Sequence, residues 1–189
     1  LAAWGTAFLG MMAKESAAVA GLLCAVSDMA FTPGAGSGRR RVLYAGHAAV
    51  FAAFLGARLL VVGAIGTGGP IPFVDNPAAS AGPVAGRLTA VGTVARYAAL
   101  LLWPRHLSAD YSFDQIPTVH SLSDPLALAG ALIAFLLFAG GALLLRRVPA
   151  AGFALLWIPV SALPASNLVV FIGTAMAERL MYLPSIGLC

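Results

Sequence analysis

The run from Leu126 to Leu145 holds 20 residues without one charged, amide or hydroxyl side chain. About 20 apolar residues are what a helix needs to cross the hydrocarbon core of a bilayer. Two other stretches approach that requirement. Val42 to Gly66 is interrupted only by His47 and Arg58 as strongly polar groups, and Ala151 to Gly173 is broken by Pro159 and Pro164. With 60% hydrophobic and 10% charged residues, against roughly a quarter charged in soluble domains, the chain reads as all-α and polytopic, with transmembrane helices. It starts without methionine and stops beside an apolar motif, so an internal fragment of a longer chain is expected.

The region from Leu1 to Met29 is too long for one span, and a single helix would put Lys14 and Glu15 at mid-membrane, where each charge costs ~3 kcal/mol. Two helices meeting at Lys14-Glu15 fit better. The phrase FTPGAGSGRRR then forms a basic loop at 32–41, and RRVP a second basic turn at 146–149. Short basic loops mark the cytoplasmic face. If both are cytoplasmic, parity sends residues 67–125 to the opposite face. Three regions follow: transmembrane helices over 1–66, a non-cytoplasmic region over 67–125, and transmembrane helices over 126–189. Pro83 to Trp103 is apolar enough to imitate a span, but one there would invert the second basic turn and bury Arg96. An interfacial helix at about 84–103, anchored by Arg87, Arg96, Tyr97 and Trp103, satisfies both constraints.

The same parity brings Lys14-Glu15 and Glu178-Arg179 to the non-cytoplasmic face. Each pair reads either as a snorkelling helix-end pair or as a lipid-phosphate site, because a guanidinium grips phosphate through two parallel hydrogen bonds. Arg58, ~10 Å inside its span at 1.5 Å per residue, needs the surface, a bundle partner or an anion. His47 reads as a helix-packing residue. Asp75, in VDNPAA, sits at an Asx-type turn. His106, Asp110 and Asp114 recur every four residues, but Pro104 and Pro117 bracket an irregular stretch and no metal is expected there. Asn76 and Asn167 are not glycosylation sequons. The basic residues are dispersed over short loops despite a net charge of +4, so no nucleic-acid partner is expected. Cys24 and Cys189 make neither a disulfide framework nor a metal spacing. No signal-peptide pattern, phosphate-cradling loop or nucleophile elbow occurs.

Four phrases, KESAAVAGLLCAVSDM, RLLVVG leading into PFVDNPAA, RYAALLLWPRHLSADYSFDQIP, and LPASNLVVFIGTAMAERLMYLPSIGLC, occur in an order and spacing that resembles the membrane region of the transmembrane and tetratricopeptide repeat-containing (TMTC) O-mannosyltransferases. The resemblance implies a GT-C type glycosyltransferase, multi-pass in the endoplasmic reticulum membrane, in which residues 67–125 are lumenal. It implies dolichyl phosphate mannose as donor, Ser or Thr hydroxyls of secretory-pathway and membrane proteins as acceptors, and no cofactor. The acidic motif bearing the catalytic base is expected upstream of Leu1, and the tetratricopeptide repeats downstream of Cys189.

An acidic group must deprotonate the acceptor hydroxyl while phosphate leaves the anomeric carbon, and fixed cations stabilise the charge that grows on that phosphate. Arg179, with Lys14 and Arg58, is expected to bind it. Glu178 and Glu15 are expected to orient the cations, and Tyr182, Asp75 and Asp110 to support the site. A polytopic transporter, or a non-catalytic membrane scaffold of the same family, is the alternative. A transporter would place its charges near the midplane and carry an inverted repeat, and neither is evident.

Overall fold

The computed structural model describes residues 2–34, 36–105, 107–108 and 111–189. Among them every regular element is helical: α1 (Ala2–Ala13), α2 (Ala20–Phe31), α3 (Ser37–Val62), α4 (Pro77–Ser80), α5 (Pro83–Leu102), α6 (Pro125–Leu144), α7 (Pro149–Ala162) and α8 (Tyr182–Ser185), with 3-10 turns between. Two of these, α3 and α6, are long and apolar enough to cross a bilayer.

Local chemistry sets the ends. The chain breaks at Lys14, which is extended, and resumes as a 3-10 turn over Glu15–Val19 before α2. The expected span from Val42 to Gly66 starts earlier, at Ser37, so Arg39, Arg40 and Arg41 belong to the first turns of α3 rather than to a loop. Cations at a helix amino terminus oppose its dipole. Arg40 offsets this by donating to the carbonyls of Asp28 (3.0 Å) and Thr32 at the carboxyl end of α2, where positive charge is favourable. Gly63, at φ 74°, ends α3 in a left-handed cap whose N–H donates to the Leu59 carbonyl. Asp124 caps α6, accepting from the N–H groups of Leu126 (2.9 Å) and Ala127 (3.1 Å), with Pro125 at the first helical position.

The expected third span, Ala151 to Gly173, does not form as one helix. α7 begins at Pro149 and stops at Ala162, where a 3-10 turn carrying Pro164 replaces it. Its 14 residues extend roughly 21 Å, short of the ~30 Å core. A proline removes a backbone donor and crowds the preceding turn. Pro159 is tolerated inside α7, whereas Pro164 comes where the ladder ends.

Glycines bring α5, α6 and α7 together. A Cβ on Gly130 would lie 1.9 Å from the Val91 carbonyl oxygen, so α6 crosses α5 backbone to backbone. Gly152 does the same between α6 and α7, with a Cβ position 2.4 Å from the Leu145 nitrogen, and Gly141 makes room for the Leu156 side chain of α7. Close approach through small residues is how helices associate where lipid is as apolar as leucine. The core proper gathers Tyr97, Ile116, Ala175 and Met176, with Leu100, Tyr111 and Met181 against it. It therefore joins α5 to two irregular segments, 111–116 and 175–181.

Polar groups sort to two ends. Phe31, closing α2, meets Phe153, opening α7, edge to face at 5.3 Å. That contact gathers the α2–α3 and α6–α7 turns, with their arginines, at one end. Glu15, the carboxyl end of α3 and the 164–181 segment lie at the other.

Candidate functional site

At that second end the chain between α7 and α8 is irregular, and buried amides hold it. Asn76 and Asn167, fully buried, are linked by Asn76 Nδ2 donating to Asn167 Oδ1 at 3.0 Å. Asn76 Nδ2 also donates to the Ile172 carbonyl (2.8 Å), while its Oδ1 accepts from the Ala78 N–H and so caps α4. Asn167 Nδ2 donates to the carbonyls of Thr174 (3.0 Å) and Ala175 (3.3 Å), and Oδ1 accepts from the Ile172 N–H (2.9 Å). Asn167 itself sits at φ 58°, a left-handed conformation that asparagine accepts more readily than most residues. Arg87 donates to the carbonyls of Asn167 and Val169 and lies 4.0 Å over the Phe171 ring. Two phrases some 90 residues apart, VDNPAA and SNLVVFIGTAM, are thereby fastened as one unit.

Farther along, the buried Tyr97 hydroxyl accepts from the Ala177 N–H (2.9 Å) and faces its carbonyl (3.3 Å). Glu178 then opens a 3-10 turn to Met181. Its Oε1 accepts from the Ser108 N–H (2.6 Å) and the Tyr111 hydroxyl (2.9 Å), tying the turn to the segment after α5. Burial, and then the Glu178 carboxylate, raises the Tyr111 hydroxyl above its ordinary range, which keeps it a donor. Arg179 is exposed, and its guanidinium, within electrostatic range of the Tyr97 hydroxyl, makes no ion pair or hydrogen bond among the described residues.

This turn stands between two cavities. The first, about 280 Å³, is an apolar groove walled by Val94 and Leu101 of α5, Ile133 and Leu137 of α6, Pro159 and Leu163 at the broken end of α7, and Met181. The second, about 490 Å³, is mixed: Lys14, Glu15, Ser16 and Arg58 supply polar groups, and Phe54, Ile172 and Leu180 apolar ones. Ala165 walls both cavities. Leu180 faces one and Met181 the other, with Arg179 just before them in the same turn.

The predicted site residues divide accordingly. Lys14, Glu15 and Arg58 share the mixed cavity. Their pairing differs from expectation, because Glu15 orients Arg58 (Oε1 to Nη1, 2.5 Å) rather than Lys14. Arg58 also donates from Nε to the Ile65 carbonyl (2.7 Å) and from Nη2 to that of Gly66 (2.6 Å), so every nitrogen of its guanidinium is engaged. It reaches a bundle partner instead of the lipid surface. Glu178 likewise holds Ser108 and Tyr111, not Arg179. Tyr182 is 79% exposed and does not wall the groove, which Met181 and Pro184 border instead. Asp75 is exposed beside the buried Asn76. Asp110 and His106 lie outside the described residues. His47 stays with its helix, Nδ1 meeting the Leu43 carbonyl at 2.9 Å. The two asparagines were the residues that sequence reasoning passed over. The available signal was an amide within an otherwise apolar phrase, since a buried amide must find partners.

The described residues are thus all-helical, with two helices long and apolar enough to cross a bilayer and an apolar groove beside a turn that carries an exposed arginine. Comparison with known proteins is more specific. Residues 72–138 match the family model described as Protein O-mannosyl-transferase TMTC, DUF1736. The chain is 40% identical over 136 residues to Protein O-mannosyl-transferase TMTC4 of Homo sapiens, covering 66% of this chain and 18% of that protein. It is 33% identical over 124 residues to Protein O-mannosyl-transferase Tmtc3 of Drosophila melanogaster, covering 61% and 13%. Against Tmtc1 of the same fly, 41 residues are 54% identical, covering 22% and 4%. The chain belongs to the TMTC family, and it spans less than a fifth of the length of these curated relatives. No solved structure matches it.

Proposed function

We propose that this chain forms part of the membrane region of a GT-C type glycosyltransferase that moves mannose from dolichyl phosphate mannose to Ser or Thr hydroxyls of secretory-pathway proteins at the endoplasmic reticulum. The observation that carries the reading is the turn Glu178–Met181, which holds the exposed Arg179 two residues before Met181 of the apolar groove and next to Leu180 of the mixed cavity. A polyprenyl phosphate has those two parts, a chain that wants apolar walls and a phosphate that wants a cation. The relatives named as O-mannosyl-transferases support transfer of a mannosyl group.

In this reading α3 and α6 cross the bilayer, the basic turns at 32–41 and 146–149 face the cytoplasm, and residues 67–125 face the lumen with α5 at the interface. The acceptor oxygen bonds to the anomeric carbon as the bond from that carbon to the phosphate oxygen breaks. The hydroxyl proton passes to a base that is not assigned to a described residue. Arg179, with Lys14 from the neighbouring cavity, stabilises the charge left on the phosphate, more in the transition state than in the bound donor. Arg58 acts through Glu15, fixing the Lys14 turn against the end of α3. Glu178 holds Ser108 and Tyr111 against the turn, and Tyr182 and Asp75 stay exposed outside the two cavities.

The test is transfer of labelled mannose from dolichyl phosphate mannose to a secretory acceptor by full-length protein in microsomes. Arg179→Ala should lower transfer on the order of 100-fold, with expression and topology unchanged, and Arg179→Lys should retain part of it. Full transfer by Arg179→Ala with unaltered donor affinity would sink this assignment.

A further inference from the structure

The end of the molecule away from the groove carries five arginines in two turns far apart in sequence. Arg39, Arg40 and Arg41 open α3, and Arg146 and Arg147 follow α6. The Phe31–Phe153 contact brings these turns to one end. Their roles are unequal: Arg40 is half-buried and committed to the Asp28 and Thr32 carbonyls, whereas Arg39, Arg41, Arg146 and Arg147 are exposed. The acidic residue at this end, Asp28, is itself occupied, accepting from Tyr44 (3.0 Å) and Thr32 (3.3 Å). Four guanidinium groups therefore remain free of an acidic partner among the described residues.

We infer that this end is a binding surface for the head groups of anionic phospholipids, built jointly by the two turns. Two observations favour a lipid over a soluble polyanion. Each pair of exposed arginines directly adjoins a helix fit to cross a bilayer, so the charges lie within a turn or two, a few ångströms at 1.5 Å per residue, of the apolar run. Exposed apolar side chains also intersperse them, with Val42 61%, Leu143 73% and Val148 51% exposed. Such a mixture suits the boundary between acyl chains and head groups, where polybasic juxtamembrane segments are drawn to acidic lipid. A surface for RNA or for an acidic protein would gain nothing from those residues.

The test is native mass spectrometry of the purified full-length protein, titrated with phosphatidylinositol and, separately, with phosphatidylcholine. Wild type should retain phosphatidylinositol adducts with at least about tenfold preference. The quadruple variant R39Q/R41Q/R146Q/R147Q should lose that preference, and the matching lysine variant should keep most of it. Arg40 stays in place because it clamps α2 to α3. If the quadruple variant does not fold, R39Q/R41Q and R146Q/R147Q are measured separately, and each should lower the preference, since the surface is shared. Equal retention of both lipids by wild type overturns the inference. So does undiminished preference in the glutamine variants, or displacement of the lipid by equimolar heparin, which would assign the surface to a soluble polyanion.

Discussion

Helices α3 and α5 are the two long helices that differ most in what surrounds them. Over its 26 residues α3 buries only Phe54, and Leu60 and Val61 are 89% and 85% exposed. Over 20 residues α5 buries Gly86, Thr89, Ala90, Gly92, Thr93 and Tyr97. Hydropathy ranks them the other way, since α3 passes as a span and α5 does not. In water the more apolar helix would be the buried one. In a bilayer, lipid accepts the large aliphatic residues, and the protein interior is marked by small residues and by polar groups with partners. α3 presents leucine and valine outward and is fastened at its ends by polar clasps. α5 presents glycine, alanine and threonine inward and is fastened along its length.

Glycine substitutions break this comparison most directly. Gly130→Ala places a methyl group where the Val91 carbonyl already lies, at 1.9 Å. Backbone cannot step aside as a flexible side chain can, so α5 and α6 must separate. The expected loss is on the order of 3 kcal/mol or more, seen as a lower midpoint of thermal unfolding in detergent. An unchanged midpoint would mean that the α5–α6 crossing is not the core of the assembly.

Next in size is the asparagine pair. Asn167→Ala removes the four side-chain hydrogen bonds and leaves alanine at φ 58°. A loss of about 3 kcal/mol is expected, from the stranded Asn76 amide and freed backbone groups, with backbone strain of ~1–2 kcal/mol included. Asn167→Gly relieves the strain but not the lost bonds and should recover about 1 kcal/mol of it. Equal midpoints for the two variants would show that strain contributes nothing, leaving the hydrogen bonds as the whole effect.

These two regions also differ in how far the sequence disclosed them. The helical character, the spans around α3 and α6, and the break at Lys14-Glu15 follow from hydropathy and the cost of a charge at depth. The stop at Ala162 was foreshadowed by Pro159 and Pro164, yet which proline would end the helix depends on whether neighbouring groups satisfy the freed carbonyls. The interior polar contacts were not legible. Arg58 had several conceivable partners, and only the fold selects Glu15, 43 residues away. Adjacent charges suggested mutual pairing in Lys14-Glu15 and Glu178-Arg179, whereas successive residues on a helix or turn point in different directions. Asn76 and Asn167 carry no local periodicity, and their pairing spans 91 residues.

A smaller effect is expected at the Arg58–Glu15 clasp. The Glu15 side chain is 58% exposed and that of Arg58 only 17%, so solvent screens the attraction from one side. Glu15→Gln should cost no more than about 1 kcal/mol, and the loss should shrink further as salt rises from 50 to about 500 mM. Cleavage within 63–71 by a protease should rise in parallel, because Arg58 also secures the carbonyls of Ile65 and Gly66. A salt-independent loss of several kcal/mol would instead mean that the pair is buried against lipid or further protein.

The smallest effect tests the other half of the comparison. Gly56 lies within α3, and a Cβ there would meet nothing within 4 Å. Alanine restricts the unfolded chain and favours the helix, so Gly56→Ala should leave the midpoint unchanged or raise stability by up to ~1 kcal/mol. The same substitution thus has opposite signs at Gly56 and at Gly130, for a reason that hydropathy does not contain. If Gly56→Ala proved as damaging as Gly130→Ala, the open face of α3 would have to be occupied by another helix at close range. The interior of the protein would then extend across α3 instead of ending there.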